Sequence, residues 1–375
     1  MASKTTKKVV KKVVKKHPKL ALAMAIIFII AAVCGYFYYE KFIKDQPVTG
    51  DLTFHFMTLG NGSSGDSIYI KAGDNDILID AGSKFNSVST IKNYLDDYVT
   101  DGTLEFVIAT HGDEDHIAGF ANNSGNIFDY YKCEIIIDFP LTSKSLTTDS
   151  GGTSLYGNYV KNRDKEVQTD GAVHYTALEC YNNQNGAKRE YVLDSENDIK
   201  FEVLYNYYYD HARDTTGTKE NDYSVCVQFS HGNKKFLFTG DLEKKGEEYL
   251  VEYNSLSQVE LYKAGHHGSA TSSNPVLVDV IKPKVCVVTC AVGDKHDFPK
   301  QDFINNVGKW TTNVYVTTMA DERYTNGAEF VPFNGNVVVV SDSTGVSVRC
   351  EKDGLLKDST WFKQNRTAPN SNWAS

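Results

Sequence analysis

The chain reads as a layered α/β body preceded by one N-terminal transmembrane helix, and three observations lead there. Short apolar runs recur from Leu52 to Val340 with segments of helical periodicity between them. Leu20 to Tyr39 carries no charge over a length that spans a hydrocarbon core as a helix. Three of the apolar runs end in histidine or aspartate, which sets the chemistry.

At 375 residues the chain holds one large domain or two small ones. The net charge of −9 is unevenly placed: residues 1–50 carry ten lysines against Glu40 and Asp45, a surplus of eight, so residues 51–375 carry −17. An acidic body disfavours non-specific nucleic-acid binding, which neutralises phosphates with Lys and Arg, although a local groove can depart from the average. Residues 1–19 form a basic cytoplasmic segment and residues 20–39 the anchor, with Tyr36, Phe37, Tyr38 and Tyr39 as an aromatic belt at its far end. Lysines before the anchor and few after it put the N-terminus inside and the rest outside, a single-pass arrangement in the cell membrane. A cleaved signal peptide is the rival reading. The apolar run is long for one, and no small-x-small site precedes Cys34-Gly35.

Residues 40–50 make a polar tether containing Pro47 and Gly50. Strands are predicted at Leu52–Met57, Asp66–Ile70 and Asp76–Ile79, joined by turns containing Gly and Asn. Val88 to Val99 is amphipathic and predicts a helix leading into the strand Phe106–Ala109, and a further helix is expected from Gly119 toward Tyr131. Glu134–Asp138 reads as a strand; residues 141–198 are the least legible, with helical potential at Tyr156–Val167. Strands follow at Lys200–Tyr205, Ser224–Phe229, Lys235–Thr239, Val259–Lys263, Val285–Thr289, Val314–Thr317 and Val337–Val340, with helices at Glu243–Tyr253, Val276–Ile281 and Lys300–Lys309. The folded domain spans 51–356, and 357–375, lacking apolar periodicity, is expected to be a loose tail. No CxxC pair occurs, so a cysteine-zinc site is not expected, and Cys286 and Cys290, roughly 13 Å apart along one strand, are too distant for a disulfide.

The densest chemistry is Thr110-His111-Gly112-Asp113-Glu114-Asp115-His116, four potential ligands in six residues at the end of a buried strand. Mixed imidazole and carboxylate donors suit a divalent cation, whereas a solvated polar loop is the bland alternative. Phe236-Leu237-Phe238-Thr239-Gly240-Asp241 is a second such strand end; Asp241 either caps the following helix or bridges cations. Lys263-Ala264-Gly265-His266-His267-Gly268-Ser269 is a third, with glycines that admit close backbone approach.

The loop at His111 resembles the His-x-His-x-Asp-His signature of the metallo-β-lactamase superfamily, with Asp113 at its second histidine, as in the hydrolase domain of ComEC-type DNA-uptake proteins. Gly65-Asp66-Ser67, Ile79-Asp80-Ala81-Gly82, Asn221-Asp222-Tyr223-Ser224, Thr239-Gly240-Asp241 and Lys263-Ala264-Gly265-His266-His267-Gly268-Ser269 are similar to that family's motifs in order, over roughly residues 51–350. The resemblance implies an αββα sandwich with one or two divalent ions, Zn²⁺ or Mn²⁺, at one sheet edge. His111, Asp113 and Asp241 would hold one ion; Asp115, His116, Asp241 and one of His266 or His267 the second, His266 being preferred as nearer the strand end. Asp115, His267 and His296 would serve catalysis, His267 as acid or substrate contact, while Asp80 orients ligands. Two departures stand out: no histidine follows Glu134–Asp138, where many members place a ligand, and Phe298-Pro299 replaces a His-Pro pair, with His296 two residues away as the substitute. His174 and His211, the histidines between His116 and Asn221, are expected on irregular surface segments.

The resulting expectation is a membrane-anchored, extracellular metal-dependent hydrolase, a phosphodiesterase or nuclease working through a metal-bound hydroxide on DNA or another phosphodiester. An ester or lactam hydrolase is the alternative within the enzyme class; an inactive metal-binding surface module that recognises a wall polymer is the alternative outside it. No obligate protein partner is inferred.

Overall fold

Strand-forming residues and burial on both faces go together in this chain. Phe54 and Phe56 alternate with His55 along one strand, so the phenylalanines point to one side and the histidine to the other, and all three are buried. A computed structural model describes residues 47–375 apart from 214–219, 292–295, 319–333, 351, 353 and 375, together with the isolated residues 19, 22, 26, 28 and 29. Thr49–Ser375 forms one compact unit. The predicted anchor at 20–39 lies almost entirely outside the described residues, as does most of 1–19 and 40–46; among the described residues no helix is long and apolar enough to cross a membrane.

In chain order the strands are β1 (Leu52–Phe56), β2 (Ile68–Ala72), β3 (Asn75–Ile79), β4 (Thr103–Ile108), β5 (Lys132–Asp138), β6 (Val173–Thr176), β7 (Glu190–Asp194) and β8 (Ile199–Val203). They continue with β9 (Val227–His231), β10 (Lys234–Phe238), β11 (Leu261–Lys263), β12 (Val285–Val288), β13 (Val314–Val316), β14 (Val337–Asp342) and β15 (Gly345–Cys350). The helices are α1 (Ser87–Leu95), α2 (Glu114–Ala121), α3 (Ile127–Tyr130), α4 (Leu155–Thr169), α5 (Ala177–Asn182), α6 (Lys244–Tyr253), α7 (Pro275–Ile281), α8 (Gln301–Val307) and α9 (Thr360–Asn365).

Two sheets result, an eight-stranded one in the order β15-β14-β1-β2-β3-β4-β5-β6 and a seven-stranded one in the order β13-β12-β11-β10-β9-β8-β7. Their inner faces meet through aromatic rings: Phe54 of β1 lies 5.6 Å from Phe229, 4.8 Å from Phe236 and 5.4 Å from Phe238, ring centre to ring centre. Such rings bury large apolar areas and add edge-to-face attraction, so this layer dominates the stability of the sandwich. Helices close the outer faces. Tyr94 of α1 reaches His55 Nδ1 at 2.7 Å, and burial pushes the His55 imidazole down to about 3, so it is neutral there. Across the molecule, Leu250 of α6, Leu277 and Ile281 of α7, and Phe303 and Ile304 of α8 pack on Tyr262, Cys286 and Val288. The architecture is a mixed α/β fold of two sheets with helices outside.

Three expectations are corrected. The C-terminal tail is not loose: Ser359 caps α9 by accepting from Phe362 N at 3.1 Å, and Trp361, Phe362 and Trp373 are buried. Its apolar residues are few and irregularly spaced, which hid their role. The helix expected from Gly119 to Tyr131 breaks after Ala121, because Asn126 starts a separate turn with a capping box to Asp129. The illegible stretch 141–198 folds into α4, β6, α5 and β7; it is organised by buried Asp138, which accepts from Tyr159 Oη, Arg163 Nη1 and His174 Nε2 at 2.9, 2.7 and 2.7 Å. His174 therefore sits on β6 in that cluster rather than on an irregular surface segment.

Candidate metal centre

Parallel pairing explains why distant residues meet. β3, β4, β5 and β6 run parallel, as do β10, β11, β12 and β13, and polar groups collect beyond the carboxyl ends of such strands. Asp80 follows β3, Thr110 and His111 follow β4, Asp241 follows β10, His266 and His267 follow β11, and Thr289 follows β12. The loops approach too closely for side chains at Gly82, where a Cβ would lie 1.5 Å from the Asp115 carbonyl oxygen. That contact is part of a backbone lattice in which Asp66 N donates to Asp115 O at 3.0 Å and Ala81 N to His116 O at 2.8 Å.

His116 is fully buried with both ring nitrogens placed. Its Nδ1 donates to Asp80 Oδ2 at 2.7 Å, which leaves Nε2 facing Asp241 Oδ2 at 3.2 Å. Asp80 also accepts from Thr110 N and Thr110 Oγ1, each at 2.7 Å, and adopts a left-handed φ of 58°. His267 repeats the arrangement: Nδ1 donates to the Thr289 carbonyl at 2.9 Å, and Nε2 lies 3.5 Å from both Asp115 Oδ2 and Asp241 Oδ2. Burial opposes charge on Asp241, but His116, His267, His266 and Lys263 outweigh it and hold its carboxyl well below the ordinary range. Burial likewise lowers His116 and His267, and the neighbouring carboxylates raise both above the ordinary imidazole value, Asp241 with Asp80 at His116 and Asp241 with Asp66 at His267. Asp241 caps no helix; the residue before α6 is Glu243.

The structure brings Asp115, His116, Asp241 and His267 together, with one donor atom from each within 4.8 Å of the others. The preference for His266 over His267 is reversed. His266 and His267 both have left-handed backbone, φ 48° and 53°, a local twist that no spacing rule reveals. It turns His267 inward, whereas His266 Nε2 is 3.8 Å from Asp241 and its Nδ1 faces Thr271 Oγ1 at 3.1 Å and Asn221 Nδ2 at 3.3 Å. His266 lines a cleft of about 440 Å³ with Ser63, Ser83, Lys84, Asp115, His296 and Phe298. His296 stacks on Phe298 at 5.4 Å, and Phe298 in turn stands 6.0 Å from His267, so His296 belongs to the cleft wall rather than to the cluster.

His111 and Asp113 lie on the opposite side. His111 is buried against His116, ring centres 4.1 Å apart, and its Nε2 is 3.5 Å from Asp113 Oδ2. Asp113 itself forms an ion pair with Lys144. Two further participants were missed. Lys263 is buried and pairs with Asp66, with Asp241 Oδ1 3.5 Å away; both residues stood in motifs, and a lysine before Gly-His-His was the available signal. Glu220 is buried and accepts from Gly112 N at 3.0 Å, Thr142 Oγ1 at 2.6 Å and Ser143 N at 2.7 Å. Nothing in its local sequence announces that role.

The donor set fits a divalent cation on a direct test. His111 Nε2, His116 Nε2, His267 Nε2 and Asp241 Oδ1 are buried with no hydrogen-bond partner among the described residues. Unpaired buried polar atoms cost about 1–3 kcal/mol each, and those of His116, His267 and Asp241, which converge with Asp115, are best explained by a cation they face, while His111 Nε2 lies apart, 3.5 Å from Asp113 Oδ2. A second group, Asp66, Asp80 and His116, is accounted for differently: Asp80 already holds His116 Nδ1 and Asp66 already pairs with Lys263. Asp80 thus orients His116 from behind.

Residues 170–290 match the metallo-β-lactamase superfamily model. The chain is similar to ComE operon protein 3 of Bacillus subtilis, 24% identical over 214 residues, covering 57% of this chain and 23% of that protein. It is also similar to competence protein ComA of Neisseria gonorrhoeae, 33% identical over 89 residues, 24% of this chain and 13% of that one. The chain therefore spans under a quarter of these relatives' length. Among solved structures, the metallo-β-lactamase fold protein YhfI of Bacillus subtilis aligns with a TM-score of 0.42 at 11% identity, over 72% of this chain and 96% of that one.

Proposed function

We propose, on the premise that this chain carries a metallo-β-lactamase superfamily domain akin to that of ComEC-type competence proteins, that it is a metal-dependent hydrolase of phosphodiesters. The observation that carries this reading is the set of inward-facing, unpartnered nitrogens of His116 and His267 beside Asp241, opening onto the cleft at Asp115 and His266. Asp115, His116, Asp241 and His267 would hold a divalent cation, with His111 and Asp113 on its far side. When bound, such an ion lowers the pKa of a water and polarises a phosphoryl oxygen. The carboxylate share of the set suits Mn²⁺, with Zn²⁺ as the other candidate.

The remaining roles fall to the protein's own groups. Asn221 Nδ2 faces His266 Nδ1, which places the imidazole proton on Nε2, toward the cleft. Burial lowers the His266 pKa, so the neutral ring offers that N–H to an oxygen of the substrate. Phe298 and His296 wall the cleft opposite and give a base or sugar a flat apolar surface. Lys84 forms an ion pair with Glu114 at the rim. We further assign the domain to the outer face of a membrane, held by residues 20–39, with DNA or a related phosphodiester as substrate; the basic segment before the apolar run supports that orientation.

The test is a metal-titrated assay of the metal-free chain on single-stranded DNA, a small phosphodiester and a small carboxylic ester, with Asp241→Ala as control. Mn²⁺-dependent cleavage of either phosphodiester, lost in Asp241→Ala, is the expected result. Turnover that survives Asp241→Ala overturns the assigned site. Ester cleavage alone favours an ester hydrolase; retained metal without any turnover favours a binding module.

A further inference from the structure

We propose that this centre retains a single tightly bound divalent cation, and that the ammonium group of Lys144 takes the place of a second. The inference rests on the metal-centre reading above and concerns how that centre is filled. Asp115, His116, Asp241 and His267 already supply four convergent donors. His111 and Asp113 make only a pair: among the described residues, no convergent group of three or more donors includes either. The sequence lacks a histidine just beyond β5, and the structure shows what the loop after that strand supplies instead. Lys144 brings its Nζ onto Asp113 Oδ1 as an ion pair.

This lysine is held there by its surroundings. The buried carboxylate of Glu220 grips both loops at once. It accepts from Gly112 N, next to Asp113, and from Thr142 Oγ1, Ser143 N and Ser143 Oγ, the last three at 2.6, 2.7 and 2.7 Å. Lys144 N in turn donates to Thr142 Oγ1 at 3.0 Å. Asp113 precedes α2 without making a side-chain cap, so its carboxylate is left to turn toward Lys144. An ion placed between His111 and Asp113 would complete its shell with water, and it would meet the ammonium charge at close range. The charge that a second cation would bring to this side is thereby supplied by the chain itself.

The experiment counts ions. The full chain is stripped with chelator, loaded with excess Mn²⁺, desalted, and its retained metal measured by elemental analysis alongside Mn²⁺ titration. The expected values are one equivalent for the wild type and for Lys144→Arg, and two for Lys144→Ala and Lys144→Gln. The double variant Lys144→Ala/Asp113→Asn returns to one, because the added site depends on the freed carboxylate. Lys144 is half-exposed, and circular dichroism of each variant identifies any that misfold. Two equivalents in the wild type, or one in both folded neutral variants, overturns the inference while leaving the hydrolase reading intact. No retained ion in the wild type overturns both.

Discussion

Asp80→Asn is the most revealing single change, because it alters one atom of a residue that touches no solvent. Asp80 Oδ1 accepts from Thr110 N, and Oδ2 accepts from Thr110 Oγ1 and His116 Nδ1, all at 2.7 Å. The asparagine keeps the first bond and tolerates the φ of 58°, since Asn adopts the left-handed region readily. Its NH₂ now stands where Oδ2 accepted. His116 can satisfy that donor only by moving its proton from Nδ1 to Nε2, which removes the lone pair aimed at the centre. Replacing such a supporting carboxylate typically lowers metal affinity 10–100-fold, or about 1.4–2.7 kcal/mol. The assay is competition titration of the chelator-stripped chain with Mn²⁺, with a thermal melt of the metal-free protein as the fold control. An affinity equal to wild type, in a folded variant, refutes the argument that Asp80 sets the His116 tautomer.

The adjacent histidines should separate cleanly: His267→Ala loses metal retention, whereas His266→Ala keeps the metal and loses turnover, read by elemental analysis and kcat; the reverse pattern restores the assignment expected from sequence. Burial pushes the Glu247 carboxyl up to about 8, despite bonds from Ser273 N and Asn274 N at 2.5 and 2.9 Å. The folded state then holds a proton that the unfolded chain releases near 4.5, so stability should fall as pH rises from about 4.5 to about 8, and Glu247→Gln should flatten that slope in denaturant titrations; an unchanged slope counts against it. Phe54→Ala empties the junction of the two sheets and should cost about 3–5 kcal/mol in urea unfolding, while a loss below about 1 kcal/mol would show that this layer is not the principal core.

Much of the fold was legible because its signals are local. β3, β4 and β10 each close on three consecutive buried apolar residues, the mark of strands covered on both faces there, and each run ends at a polar group that punctuates it. α9 and the packed C-terminal residues were not legible, since Trp361, Phe362 and Trp373 carry no period and are buried against one another and against elements distant in sequence. The same limit hid Glu220. Its partners lie more than seventy residues upstream, and its neighbours at 221–224 drew attention only as a motif.

By itself the amino-acid sequence determined the donor types, their order along the chain and their placement at strand ends, because ligand chemistry and apolar periodicity are written in consecutive residues. Tertiary structure alone decided which histidine of the adjacent pair turns inward, because two successive left-handed residues rotate the chain there. It alone brought the Lys144 cation to Asp113. That meeting depends on two loops clamped by one buried carboxylate, and no spacing in the chain encodes it.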